Sequence, residues 1–203
     1  PKALVAVAGQ PLLSHAFDAL LSVGVGRLVV VVGYRGDDIV DYYGESYCET
    51  PIEYVDQADQ LGTAHALARA IPVVQAPFVV LHGDNVCRAN LGRVLERHRE
   101  TGTAATLLVE SVSREQAKTT GVVETDGDGR VTGLVEKPDD PPSTLVNRGF
   151  YAFGPEIGPA LDRIEPSERG EFEITDAVDD LRRRGHRVET VELDGWCHNV
   201  NEP

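Results

Sequence analysis

The sequence has no methionine, only three cysteines and no long hydrophobic run among its 203 residues. Because a natural chain needs an initiator methionine, we expect these residues to be part of a longer protein. Cys48, Cys87 and Cys197 are odd in number and lack the spacing of zinc ligands, so we expect buried or incidental thiols. No segment is long enough to cross a bilayer and no secretory signal is visible, which predicts a cytoplasmic protein with no membrane partner.

Basic residues are also scarce. The chain has 33 acidic and 19 basic side chains and a formal net charge of -14, which argues against a nucleic-acid partner. An anionic substrate would need a local basic patch in this repulsive field. The only lysines are Lys2, Lys118 and Lys137, and the other basic residues are arginine. An acidic, lysine-poor composition suggests a halophile-like protein adapted to a salt-rich cytoplasm, where screening reduces self-repulsion.

Apolar runs and helical periodicities alternate through the first half of the chain. A helix is expected from Pro11, with its C-cap near Gly24. The further predicted helices are 37–43, 63–70 and 91–99, and the predicted strands are 28–32, 52–55, 78–81 and 104–109. This alternation predicts an α/β fold with a mostly parallel sheet.

From about Gly121 the pattern changes. Residues 122–125 and 131–136 flank Asp126-Gly127-Asp128-Gly129, a turn sequence typical of a β-hairpin. A strand over 145–153, a helix over 173–184 and a strand over 186–193 follow. We interpret this half as a small β extension of a single domain spanning residues 1–203.

Asp84 follows the predicted strand 78–81 after Gly83. Ligands of open α/β sheets bind at the carboxyl ends of strands, where a carboxylate can hold Mg²⁺ together with substrate phosphates. Gly83 would let the backbone approach a ligand closely. The alternative is that Asp84 only caps the next turn.

Gln57 ends the predicted strand 52–55, and Gly62-Thr63 begins the next helix. A side-chain amide offers the donor and the acceptor that match a pyrimidine edge. The free N–H groups of a helix start attract anions. The alternative is an ordinary N-cap at Thr63, and both interpretations can hold together.

Glu136-Lys137-Pro138 closes the hairpin. Phosphoryl transfer needs positive point charges on phosphate oxygens, which Lys137 and Lys2 could supply, and Glu136 could accept hydrogen bonds from sugar hydroxyls. The alternative is a surface ion pair at a strand end. The histidines lack metal-ligand spacing, so zinc is not expected, and no Ser-His-Asp arrangement stands out.

Several spaced segments together resemble the sugar-1-phosphate nucleotidyltransferases, also called sugar-nucleotide pyrophosphorylases. The resemblance is to glucose-1-phosphate thymidylyl- and uridylyltransferases and, in the 57–67 loop, to UDP-N-acetylglucosamine pyrophosphorylases. The segments are 1–12, 57–67, 83–84, 121–123, 136–138, 147–151 and 196–203.

The resemblance implies a three-layer Rossmann-like fold and transfer of a nucleotidyl group from UTP or dTTP to glucose 1-phosphate or N-acetylglucosamine 1-phosphate. It also implies roles for individual positions of this chain. For the nucleotide these are Gln57, Gly62, Thr63 and Gly83; for the sugar Gly121, Glu136 and Asn147; for Mg²⁺ Asp84 and Asn199; and for catalysis Lys2, Asp84 and Lys137.

Two departures from the family pattern accompany the resemblance. Many relatives carry aspartate where this chain has Asn199, although the N-acetylglucosamine branch also has asparagine there. The family's first strand and its Gly-rich, arginine-containing phosphate loop are not found before Pro1. That strand is expected to lie between 28–32 and 78–81, so these two strands should face a gap.

Other functions remain open at this stage. The same fold could serve as a non-catalytic sugar-nucleotide-binding or regulatory subunit. A cytidylyltransferase for another phosphorylated alcohol fits Glu136-Lys137-Pro138 less well. The residues do not choose between UTP and dTTP or among the hexose phosphates, and they are compatible with a homo-oligomer.

Overall fold

The computed structural model describes residues 1–200, so Asn201, Glu202 and Pro203 of the last resembling segment lie outside the described residues. Its helices are α1 (Leu12–Ser22), α2 (Gly36–Tyr43), α3 (Thr63–Ala70), α4 (Gly92–Thr101), α5 (Arg114–Ala117), α6 (Ile157–Leu161) and α7 (Ile174–Arg183). Two short 3₁₀ turns span Lys2–Leu4 and Ile71–Val73. None of the helices within residues 1–200 is long and apolar enough to cross a membrane.

The strands divide into one large sheet, one small sheet and two short ribbons. They are β1 (Ala6–Val7), β2 (Gln10–Pro11), β3 (Leu28–Val32), β4 (Ser46–Tyr47), β5 (Thr50–Asp56), β6 (Phe78–Leu81), β7 (Asn85–Ala89), β8 (Ala105–Ser111), β9 (Gly121–Thr125), β10 (Val131–Glu136), β11 (Leu145–Phe153), β12 (Val188–Glu192) and β13 (Gly195–Asn199). The predicted α/β class is confirmed. The sheets are mixed, and among residues 1–200 only β3–β5 and β8–β12 pair in parallel, so the expectation of mostly parallel pairing is not met.

The large sheet has the order β10-β9-β11-β8-β12, and β6 also pairs with β11. Both β6 and β8 run antiparallel to β11, and β12 runs parallel to β8. Strands β6, β8 and β12 therefore point in one direction, as in an α/β sheet, with β11 inserted against them. The predicted hairpin is present as the antiparallel pair β9–β10.

The main hydrophobic core lies between the large sheet and helix α7, because each presents an apolar face to the other. Strand β11 is buried along almost its whole length. Helix α7 contributes a stripe at i, i+3, i+4 and i+7, the spacing of one helix face. The stripe consists of Ile174, Ala177, Val178 and Leu181, of which the last three have no exposed surface.

The small sheet has the order β3-β5-β4 and does not join the large one. Among residues 1–200, β3 pairs only with β5, and β6 pairs only with β11. A cavity of about 640 Å³ lies between the facing sides of β3 and β6, and α1 and α3 also line it. We call this cavity the slot.

Most predicted elements are present with ends shifted by one or two residues, as for α4, predicted over 91–99 and found at Gly92–Thr101. The ribbon of β7 and β13 was not predicted. It joins residues more than a hundred positions apart, and β13 exposes four of its five residues, so no apolar alternation marks it.

The prediction of incidental thiols is wrong for two of the three cysteines. Cys87 in β7 and Cys197 in β13 face each other across the ribbon and form a disulfide. Cys48 is free and exposed. Sequence spacing could not reveal the pair, because strand pairing rather than proximity in the chain brings the two residues together.

Candidate active site

A cavity of about 1030 Å³ opens where β6, β8 and β10 end and where α7 begins. We call this cavity the cleft. Most of the site residues predicted from the sequence line it, although they come from different elements. These residues are Thr63, Asp84, Gly121, Glu136, Lys137, Asn147 and Asn199.

One end of the cleft is built around Asp84, and we call it the metal end after the ion that the sequence predicts there. Lys2 Nζ lies 3.1 Å from Asp84 Oδ2, and Asn199 Nδ2 donates to Asp84 Oδ1 at 2.9 Å. The Asn199 amide also donates to Asn85 Oδ1 at 2.9 Å, because the ribbon register sets Asn199 opposite Asn85. The backbone N–H of Val200 donates to the Asp84 carbonyl, which fixes the end of β13 at this point.

The residues around Asp84 fit a magnesium ion that is held largely by substrate phosphates. Both carboxylate oxygens of Asp84 already face donors, the groups that a cation would replace. Turning the Asn199 amide over would present its oxygen to the same place, giving two hard oxygen ligands. Within residues 1–200 no cluster of three or more acidic, histidine or cysteine side chains could hold a metal by itself. Mg²⁺ commonly binds through one or two carboxylates and substrate phosphates, so this small ligand set suits it.

The other end is a small cradle around Gly121, and we call it the sugar end after the ligand that the resemblance implies there. A Cβ atom at this position would lie 2.6 Å from Asn147 Nδ2, 2.7 Å from Thr175 Cγ2 and 2.9 Å from Glu136 Oε2. The three residues predicted for one sugar therefore meet at one point. Only glycine leaves this space open.

Hydrogen bonds fix the orientation of the polar groups in the cradle. Asn147 is 8% exposed, and its Oδ1 accepts from the Gly149 N–H at 2.7 Å and the Tyr151 hydroxyl at 2.8 Å. The Asn147 NH₂ is consequently directed toward Gly121. Glu136 Oε2 accepts from the Thr175 hydroxyl at 2.8 Å, and Lys137 Nζ lies 4.0 Å from Glu136 Oε1. The cradle thus offers one amide donor and one carboxylate acceptor.

Burial makes two carboxyl groups near the cradle harder to ionise. Desolvation raises the pKa of Glu136, although the Thr175 hydroxyl and the charge of Lys137 oppose the change. Desolvation also raises the pKa of Glu173, with a smaller contribution from the charge of Glu136. The Glu136–Lys137 pair joins a carboxyl group that is only 17% exposed to a lysine that is 41% exposed.

The loop before α3 is arranged differently from expectation. Gln57 Nε2 donates to the Gly62 carbonyl at 3.1 Å and lies 2.9 Å from His65 Nδ1, so its nitrogen is used inside the loop. Gln57 and Gly62 do not line the cleft, and Gly83 lines the slot. At Gly62, with φ 110°, a Cβ would lie 2.5 Å from the Phe172 carbonyl oxygen, so glycine is needed for this close approach.

The predicted helix start at Thr63 is confirmed, but the predicted N-cap at Thr63 is wrong, because the N-cap of α3 is Gly62. Thr63 does not cap its own helix: its hydroxyl accepts from the Ile174 N–H at 3.1 Å, at the start of α7. The Ala64 N–H is not available to an anion, because it donates to the Phe172 carbonyl at 2.8 Å. Thr63 therefore ties the starts of α3 and α7 together beside the cleft.

Sequence reasoning missed three residues that shape the cleft: Thr175, Asn85 and Glu173. Asn85 is 3% exposed and bridges the Arg148 carbonyl to Asn199. A polar residue directly after Asp84 was a usable signal for Asn85. Thr175 and Glu173 belong to the first turn of α7 and its N-cap, and only the packing of α7 brings them to the cradle.

The chain is similar to known proteins in sequence and in fold. The sequence pattern of the family described as "Nucleotidyl transferase" matches residues 1–198. UTP–glucose-1-phosphate uridylyltransferase AglF of Haloferax volcanii is 42% identical over 203 residues, which are all of this chain and 84% of the relative. Glucose-1-phosphate thymidylyltransferase of Streptomyces antibioticus is 35% identical, over 96% of this chain and 55% of the relative. The chain thus spans most of the first relative but only about half of the second.

Solved structures share the fold. A UDP-glucose pyrophosphorylase in complex with UDP-glucose superposes with a TM-score of 0.88 at 23% identity, covering 100% of this chain and 86% of that one. A Bacillus anthracis protein described as a glucose-1-phosphate thymidylyltransferase, in complex with a sucrose, gives a TM-score of 0.86 at 25% identity, covering 98% of this chain and 80% of that one.

Proposed function

Because the chain belongs to the nucleotidyl transferase family, we propose that it transfers a nucleotidyl group from UTP or dTTP to a hexose 1-phosphate and releases pyrophosphate. One observation carries the proposal: a single cleft joins the Asp84–Asn199 pair to the buried cradle of Gly121, Glu136 and Asn147. A site for a phosphorylated sugar needs cation-binding oxygens at one end and fixed hydroxyl partners at the other.

In this reaction, an oxygen of the sugar 1-phosphate attacks the α-phosphorus of the nucleotide. One P–O bond forms, the bond to pyrophosphate breaks, and no covalent intermediate with the protein is needed. Lys2 would leave Asp84 for a phosphate oxygen, and Lys137 would neutralise the sugar phosphate beside the cradle. Mg²⁺ on Asp84 and Asn199 would supply further charge neutralisation.

The cradle would hold the sugar through opposite hydrogen-bond types. The Asn147 NH₂ would donate to one hydroxyl oxygen, and the Glu136 carboxylate would accept from another. Thr175 keeps the carboxylate in place from behind, and Gly121 provides the room. Such fixed partners position the sugar phosphate for attack.

The base would be read by the loop around Gln57. Its amide nitrogen is engaged by the Gly62 carbonyl, which leaves the amide oxygen to accept from the ring N–H that uracil and thymine share. UTP with glucose 1-phosphate is the first pair to test, because the relative with 42% identity is named for it.

The test is pyrophosphate release by the full-length protein with Mg²⁺ across a panel of nucleoside triphosphates and sugar phosphates. We expect turnover with a pyrimidine nucleotide, and about 10³-fold less turnover in Asp84→Ala, since Asp84 would hold charge in the transition state. Asp162→Ala is the matched control, because Asp162 is exposed and remote from the cleft. No release with any pair would favour a non-catalytic binding role, and near-normal activity of Asp84→Ala would refute its assignment.

Three further predictions accompany this function. A strand is expected to fill the slot and to bring a Gly-rich loop to the triphosphate, which the unpaired edges of β3 and β6 within residues 1–200 support.

The protein is expected to work in a salt-rich cytoplasm. It is also expected to be compatible with a homo-oligomer. With a net charge of -14, its melting temperature should rise by several degrees between low and molar KCl, and an unchanged melting temperature would contradict salt adaptation.

A further inference from the structure

The ribbon of β7 and β13 carries the metal end of the cleft and has a covalent link at its centre. Cys87 faces Cys197, and two positions along the ribbon Asn85 faces Asn199. The two cysteine sulfurs are bonded, and the Cα atoms lie 4.0 Å apart. The disulfide therefore lies beside the contact between Asp84 and Asn199.

Strand β13 has few other attachments. Among residues 1–200 it pairs only with β7, and only Cys197, at 2% exposure, is buried. The remaining contacts include the Arg148 side chain on the Cys197 carbonyl and the Asn199 amide bonds. An isolated two-stranded ribbon is marginally stable in water, so the central link contributes strongly to its order.

The disulfide also fixes the register that brings Asn199 to Asp84. Side chains two positions apart share a face of a strand, so Cys197 and Asn199 lie on one face, as do Asn85 and Cys87. A slip by one residue would turn Asn199 away from Asp84, and a slip by two would set it opposite Cys87. Neither slip is compatible with an intact Cys87–Cys197 bond.

We propose that Cys87 and Cys197 form a reversible redox modification site that controls the position of Asn199, with a low-molecular-weight disulfide as oxidant. The effect on catalysis rests on the proposed function, whereas the redox chemistry does not. One cysteine thiol attacks the small disulfide, forms a mixed disulfide and releases one small thiol. The second cysteine then attacks the protein sulfur, the Cys87–Cys197 bond forms and a second small thiol leaves. Two protein thiols are oxidised, one small disulfide is reduced, and the two thiol protons leave on the released thiols.

The chemical step is tested on the full-length protein incubated with oxidised or reduced glutathione, alkylated and digested for mass spectrometry. We expect peptides containing Cys87 and Cys197 to be linked to each other, and so to lose alkylation, only after oxidation. Cys48, which is exposed and has no protein partner, serves as the internal control: it should be found alkylated or carrying glutathione, but not linked to another protein cysteine. Equal alkylation of Cys87 and Cys197 in the two samples would overturn the proposal.

The structural consequence is tested by hydrogen exchange over residues 195–199 and by the Mg²⁺ dependence of pyrophosphate release. Reduction should speed hydrogen exchange over these residues. It should also raise the Mg²⁺ concentration that gives half-maximal rate by about tenfold, since removing a group that orients a metal ligand weakens metal binding on this scale. Cys87→Ser should behave as the reduced protein in both redox states, and Cys48→Ser should keep the full redox response. Identical exchange in the two states would refute the control of β13. If no substrate pair reacts, the proposed function fails, while alkylation and exchange still decide the redox site.

Discussion

Two of the hydrophobic cores within residues 1–200 are built from similar residues but are shielded to different degrees. In the large-sheet core, Leu107, Val123 and Phe153 have no exposed surface. In the small-sheet core, Leu13 is 7% and Val32 8% exposed. Strand β3 is as rich in valine as any strand, yet one of its edges faces the slot rather than a neighbouring strand. A strand's burial thus depends on its neighbours as well as on its own side chains.

The two ends of the cleft repeat this contrast. At the sugar end, Asn147 and Glu136 belong to strands of the large sheet and are mostly buried. At the metal end, the Lys2 and Asp84 side chains are 45% and 30% exposed, and Asn199 belongs to the weakly attached β13. We infer that the groups proposed to bind the sugar are preformed, whereas the metal end would acquire its final arrangement only if phosphates and Mg²⁺ bind as proposed.

The contrast between the cores predicts unequal costs for the same substitution. Leu107→Ala should lower the free energy of unfolding by about 4 kcal/mol, because the void would be closed on all sides. With residues 1–203 alone, Leu13→Ala should cost only about 2 kcal/mol, because Leu13 lines the slot. Urea unfolding followed by circular dichroism measures both changes. Equal losses in residues 1–203 alone would show that the slot closes without a further strand and would remove the contrast.

The contrast between the ends of the cleft is sharpened by a substitution in the preformed cradle. Gly121→Ala should lower kcat/KM about 100-fold, because its Cβ would occupy the space between Asn147 and Glu136. Gly127→Ala is the matched control, since a Cβ at position 127 meets nothing within 4 Å. Steady-state kinetics of the two variants provide the measurement. Normal kinetics in Gly121→Ala would mean that the sugar binds elsewhere.

Local patterns predicted much of the fold and part of the cleft. The alternation of apolar runs and helical stripes identified the main elements, and a carboxylate after a buried strand marked Asp84. Resemblance contributed Gly121, Glu136 and Asn147, and the structure brings these three together. Whether they act on a sugar stays a prediction.

Long-range contacts could not be read from the sequence. Thr63 was expected to cap its own helix, but its hydroxyl accepts from an N–H group 111 residues away in the chain. The ribbon was missed because β13 is largely exposed and lacks apolar alternation. The cysteine pair depends on that ribbon, with its partners 110 residues apart. In each case the interacting residues are distant in the chain and are brought together by tertiary packing, so the sequence around either residue carries no pattern that predicts the contact.

The smallest expected effect is a pH dependence of kcat/KM. It would come from the buried cradle, where Glu136 lies, and not from the more exposed metal end. Burial raises the pKa of Glu136 above its ordinary value of 4.5, and the ionised form is needed to accept from a sugar hydroxyl. The kcat/KM should therefore rise with pH along a limb centred above 4.5, and Glu136→Gln should remove that limb. Thr175→Val deletes a donor that favours the carboxylate, so it should move the limb to higher pH.

The raised pKa of Glu136 also makes the free energy of unfolding depend on pH, and this can be measured without substrate. Between 4.5 and the raised value, the folded protein binds more protons at Glu136 than the unfolded chain does. The contribution of Glu136 to the free energy of unfolding must then decrease as pH rises through this window. Urea unfolding of the wild type and Glu136→Gln across the window should show a difference in the free energy of unfolding that changes with pH in this direction. A constant difference would mean that the Glu136 carboxylate is hydrated in solution and that the cradle is as open as the metal end.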